Sequence, residues 1–99
     1  SLEYGGLQLD LARKEAVREG RRIALTAKEF ALLEYLMRNA DRVLSRSQIS
    51  EKVWDIDFDT GTNVVEAYVK LLRKKVDNDF DTKLIHTRVG LGYILTQHP

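Results

Sequence analysis

A chain of 99 residues, 43% hydrophobic and 31% charged, has room for one domain with an ordinary core and too little length for two. It contains no cysteine, which excludes disulfides and thiolate metal sites and fits a reducing cytoplasm. No apolar run nears the roughly 20 residues of a membrane span, no signal-peptide pattern is visible, and the start Ser-Leu-Glu, without an initiator Met, is what a segment of a longer protein is expected to have. The net charge of +1 excludes nothing, but its distribution does more: residues 62–99 hold six Lys/Arg against four Asp/Glu, and residues 1–61 ten against eleven.

Residues 2–25 read as three or four short antiparallel strands. In LQLDL the leucines Leu7, Leu9 and Leu11 alternate with Gln8 and Asp10, the period of a half-buried strand. Gly5-Gly6 and Glu19-Gly20 are hairpin-turn pairs. TAKEFALLEYLMRNA then opens with an S/T-x-x-E capping box, Thr26 and Glu29, and continues with Phe30, Leu33, Leu36 and Met37 at helical spacing, with Asn39 as the stop. After the extended link RVLS, a second capping box, Ser45 and Gln48, opens a helix with Ile49 and Val53 inward. DIDFDTG is a loop. TNVVEAYVKLLRKKVD, residues 62–77, is a third helix, capped by Thr62, with Val65, Val69, Leu72 and Val76 forming one apolar stripe. KLIHTRVGLGYIL, within residues 83–95, reads as a hairpin bent at Gly90 and Gly92.

Sheet, three helices and a final hairpin make an α+β winged helix-turn-helix, and such folds place the third helix in the DNA major groove. At about 100° per residue the face opposite the stripe shows Asn63, Ala67, Lys70, Leu71 and Lys74, flanked by Glu66 and Arg73, with Tyr68 between the faces. Ammonium groups on such a face release counterions from phosphates. Arg46 and Ser47 open the second helix, where backbone N–H groups also favour a phosphate. Trp54 is expected to plug the core or an interface. Asp55, Asp57, Phe58 and Asp59 form an acidic, aromatic loop expected to touch another protein. Asp55, Asp57, Asp59 and Glu66 have the spacing of EF-hand ligands, but the glycine falls one place late at Gly61, so no calcium site is expected. His86 and His98 lack further ligands for zinc, and no catalytic constellation or phosphate-cradling loop is present, so neither cofactor nor enzyme activity is expected.

The stretches LTAKEFALLEYL, VLSRSQISEKVW, TNVVEAYVKLLRKKVD and KLIHTRVGLGYIL resemble the C-terminal effector domain of OmpR/PhoB-type two-component response regulators, and with the N-terminal strands the resemblance covers essentially the whole chain, residues 1–99. TAKEFALLEYLMRN and DNDFDTKLIHT are closest in wording to the heavy-metal, copper-type branch. The resemblance implies binding of direct-repeat promoter DNA as a tandem homodimer, after phosphorylation of a separate receiver domain absent from this chain. It also implies RNA polymerase as the partner of the loop before the third helix. Carried over by position, it implies phosphate contacts from Asn63, Tyr68, Lys70, Arg73 and Thr87. Leu71 falls on a base-reading position where Arg is common; Leu lacks the donors for guanine and can pack on a thymine methyl. The family's wing reads Val-Arg-Gly-x-Gly-Tyr, whereas Arg88-Val89-Gly90-Leu91-Gly92-Tyr93 places the Arg one residue earlier, which turns it to the other strand face. Because Leu71 and Val89 stand where base-touching residues are expected, a winged-helix protein-interaction module with weak DNA affinity is the alternative.

Overall fold

The computed structural model describes residues 1–55 and 63–99. The N-terminal sheet is a four-stranded antiparallel meander: β1 (Leu2–Tyr4), β2 (Leu7–Asp10), β3 (Glu15–Arg18) and β4 (Arg21–Ala24), paired in chain order. Glu19 and Gly20 at the β3–β4 turn both have positive φ, the requirement of a tight hairpin whose twist matches its strands. Leu7 and Leu9 face the core as their alternation demands, paired with Arg18 and Ala16. Pairing therefore puts Arg18 on the core side while its apolar neighbour Val17 faces the other way.

Helices α1 (Ala27–Arg38) and α2 (Arg46–Trp54) both begin with a complete capping box, at Thr26 with Glu29 and at Ser45 with Gln48. Each box satisfies two N–H groups that the first helical turn leaves open. Asn39 is the C-cap of α1, and its side chain also donates to the Tyr35 carbonyl. Helix α3 (Val64–Val76) is shorter than the 62–77 read from the sequence: Asn63 is its N-cap, without a side-chain capping bond, and Asp77 its C-cap. Thr62, expected to cap it, lies outside the described residues. The stripe Val65, Val69, Leu72 and Val76 is buried as expected, against a core that includes Leu32, Leu33, Leu36, Ile49, Leu84 and Leu95. Burying each such side chain contributes about 1.5–3 kcal/mol relative to exposure. No helix among the described residues is long and apolar enough to cross a membrane.

The C-terminal hairpin, β5 (Ile85–Arg88) and β6 (Gly92–Leu95), is joined to the helices by a third extended segment: Leu44, in the link between α1 and α2, exchanges backbone hydrogen bonds with Tyr93 at 2.8 and 2.9 Å. Gly92 makes this contact possible. With φ at 142°, a Cβ there would stand 2.0 Å from the Leu44 carbonyl oxygen.

Arg18 is 2% exposed and Asp77 1%. They form an ion pair at 2.8 Å, and Arg18 also donates to the carbonyls of Val76 and Thr82. The Asp77 carboxylate accepts from the N–H groups of Leu84 and Ile85 at 2.9–3.1 Å. Truncating either partner strands a charge in the core, so Asp77→Ala should lower unfolding free energy by about 3–5 kcal/mol, read from the urea midpoint.

Glu29 completes the first capping box and also accepts from Lys75 Nζ at 2.6 Å, which ties the end of α3 to the start of α1. Burial pushes its carboxyl up, but Lys75 and the Thr26 N–H outweigh that and leave it below the ordinary Glu value. A depressed carboxyl stabilises the fold above its unfolded pKa and loses that contribution as pH falls through the folded one. Stability should therefore decline on acidification below the usual Glu range, and Glu29→Gln should flatten that limb of the denaturation-against-pH curve.

Candidate nucleic-acid interface

The buried stripe of α3 dictates which side chains remain outside. Asn63, Ala67, Lys70, Leu71 and Lys74 are all exposed, on one face as the period requires, with Leu71 45% exposed. Tyr68 is half-buried and meets Trp54 edge-on, with ring centroids 5.2 Å apart. Trp54 thus packs at the α2–α3 junction, as a plug. Lys75, part of the cationic run, points instead to Glu29 and the Ala24 carbonyl.

The flank of α3 nearest the hairpin is organised by Arg73. Its Nε donates to the Ile85 carbonyl at 3.2 Å and its Nη2 to the Thr87 hydroxyl at 2.7 Å, while its guanidinium lies 5.8 Å from the centre of the Tyr93 ring. Two residues assigned to phosphate by position, Arg73 and Thr87, are thus bonded to each other. Burial, and then the Glu66 carboxylate, push the Tyr93 phenol up, so the ring under Arg73 stays neutral.

Two turns earlier on α3, Glu66 accepts from Arg46 Nε at 3.0 and 3.3 Å, joining the first turn of α3 to the first residue of α2. Between them and the hairpin lies a cleft of about 360 Å³ lined by Ser45, Arg46, Ser47, Glu66, Thr87 and Arg88 among others. Arg88 is half-buried, opposite Gly92 in the ladder, and lines this cleft, while Val89 at the hairpin tip is 93% exposed. Arg88 thus stands beside the cleft, and Val89 projects from the turn beyond the end of β5. Asp55 is exposed and ends α2 in a left-handed conformation. Asp57, Phe58 and Asp59 lie outside the described residues. His86 contacts the Lys83 carbonyl at 2.9 Å.

The arrangement brings Asn63, Lys70, Leu71 and Lys74 together on one convex ridge, with Arg46, Thr87 and Arg88 along its hairpin side. Sequence reasoning missed the inward charges: Arg18, Asp77 and the Lys75–Glu29 pair. One signal was available, because Arg18 stands two residues from Ala16 and so faces the core with it.

A winged helix with a cationic, outward-facing third helix defines a DNA-binding domain of a transcriptional regulator. The chain belongs to the family described as "Transcriptional regulatory protein, C terminal", whose model matches residues 20–95. It is 51% identical over 93 residues to the transcriptional regulatory protein CusR of Escherichia coli (strain K12), covering 94% of this chain and 41% of that protein. It is 49% identical over 94 residues to the transcriptional activator protein IrlR of Burkholderia pseudomallei (strain 1026b), covering 95% of this chain and 41% of that protein. The chain thus spans about two fifths of the length of these curated relatives. The crystal structure of the DNA-binding domain of CpxR from E. coli superposes with a TM-score of 0.83 at 29% identity, covering 96% of this chain and 94% of that one.

Because Arg73 is bonded to the hairpin and Lys70 is not, the two should separate in stability: Arg73→Ala should lower the melting temperature by several degrees, the effect of losing about 1–2 kcal/mol in a domain this size, while Lys70→Ala leaves it nearly unchanged.

Proposed function

We propose that this chain is the effector domain of a response regulator that binds direct-repeat promoter DNA, with α3 in the major groove and the β5–β6 hairpin against the minor groove. The observation that carries this reading is the division of α3: the stripe Val65, Val69, Leu72 and Val76 is buried, and Lys70 and Lys74 stand exposed beside Asn63. A helix fits the major groove, and exposed ammonium groups meet the phosphates on either side. In this reading Lys70, Lys74 and Asn63 hold the helix on the duplex, Arg46 and Arg88 add positive charge beside the hairpin, and Thr87 and Tyr68 contact the backbone. Phosphate contacts fix position and carry no sequence information.

The relatives are more than twice the length of this chain, which supports a receiver domain in the whole protein that pairs two copies in tandem on the repeat. RNA polymerase is the partner proposed for the acidic stretch that begins at exposed Asp55.

A salt series of fluorescence-anisotropy titrations on direct-repeat duplexes tests the reading. Affinity should fall steeply with salt, and Lys70→Ala/Lys74→Ala should reduce the slope of log affinity against log salt by about 1.8, about 0.9 per phosphate contact. A protein-interaction module is the second reading, favoured by the exposed apolar tip residues Val89 and Leu91, at 93% and 65%. Absent or salt-independent binding would decide for it.

A further inference from the structure

The exposed face of α3 is not uniformly cationic, and its two edges differ. Taking Asn63 as the reference at about 100° per residue, Lys70 and Lys74 lie within about 20° on either side, Ala67 about 40° and Leu71 about 80° round one way, and Glu66 and Arg73 about 60–80° the other way. On that second edge the polar groups have partners within the protein: Glu66 holds Arg46, and Arg73 holds Ile85 and Thr87. Arg73 is the only Arg on α3, so the fork that reads guanine is tied to the hairpin through its Nε and Nη2. The first edge carries no polar group at its outer positions. Ala67 and Leu71 are both exposed and lie one turn apart.

A single exposed leucine is ordinary on a protein surface. Leu71 differs in its place: it borders Lys70, Lys74 and Ala67, on the face that enters the groove if α3 binds DNA as proposed above. Whatever base edge lies opposite it is cut off from water and offered no donor or acceptor. The one apolar substituent that the four bases display in the major groove is the C5-methyl of thymine. An apolar surface there accepts the methyl and penalises any base whose polar edge it would leave unpaired, so discrimination comes from both attraction and exclusion.

We infer that Leu71 and Ala67 form a methyl-reading edge of the recognition helix and make this domain select thymine at the base pairs beneath them. This inference rests on the DNA-binding reading and adds the class of base contact that sets its specificity. Leu71 is the specificity-determining residue, and Lys70 and Lys74 supply binding that ignores sequence.

The test uses duplexes recovered by this chain from a random-sequence pool, then synthesised with 2′-deoxyuridine replacing thymidine at one position at a time. Deoxyuridine keeps every hydrogen bond of thymidine and lacks only the methyl. One or two adjacent replacements should weaken binding about fourfold each, the effect of withdrawing one buried carbon, with no change in salt dependence. Leu71→Asn should lose the preference for thymidine over deoxyuridine at the base pair beneath residue 71, with the salt dependence of binding unchanged. Leu71→Arg should move the preference at that base pair toward G·C. If wild-type protein binds the recovered duplex with steep salt dependence but is indifferent to deoxyuridine everywhere, the methyl-reading edge is refuted and the DNA-binding reading stands. If the pool yields no bound duplex at low salt, both fail.

Discussion

The Asp77 carboxylate is the point on which the geometry of the molecule depends. The Asp77 backbone N–H ends α3 by donating to the Arg73 carbonyl, and the carboxylate takes the Arg18 guanidinium from the sheet at 2.8 Å and the N–H groups of Leu84 and Ile85 where the hairpin begins. One buried side chain thus ties β3 to the end of α3 and the start of β5, across 59 residues of chain. A buried ion pair is seldom a net gain over an apolar pair of the same shape, because both charges must be desolvated. Its effect here is geometric. Arg18 satisfies the open Val76 carbonyl at the end of α3, and Asp77 satisfies the first N–H of β5, so α3 and the hairpin leave the core at set positions.

Charge on α3 is divided by the same logic. Lys75 is drawn inward to Glu29, Arg73 sideways to the hairpin, and Glu66 toward Arg46. These interactions hold the helix against its neighbours on three sides. Lys70 and Lys74 remain exposed at the crest. The close-packed stripe sets which face of the helix points outward, and the flanking bonds add polar ties along its edges. Basic side chains in the last turn also oppose the negative end of the helix dipole.

Much of this was legible from the sequence. Both capping boxes, the α3 stripe and the order of elements follow from spacing alone, since each depends on residues within a few positions of one another. The burial of Trp54 against Tyr68 was legible in kind from the size of the ring. Long-range partnerships were not. Nothing local in Arg73 distinguishes it from Lys70, yet a register of twelve and fourteen residues brings it to Ile85 and Thr87. Periodicity places a side chain on a face; it does not say what an adjoining element brings to that face. The N-cap of α3 falls one residue later than the spacing predicts, at Asn63, which caps without a side-chain bond.

The hairpin has no independent core of its own, with only two strands of four residues, and an isolated hairpin is marginal in water. Three attachments tie it to the rest of the domain. Leu44 pairs with Tyr93 across the space that Gly92 leaves open, Arg73 bridges Ile85 and Thr87, and Asp77 anchors the first strand. Leu44 belongs to the link that feeds α2, so bonds join the first turn of α2, α3 and the hairpin to one another. The cleft bounded by Arg46, Glu66 and Arg88 is the seam where these three parts meet. A surface assembled from three elements but locked in this way loses little conformational freedom when it docks, so more of the contact energy remains for holding the partner.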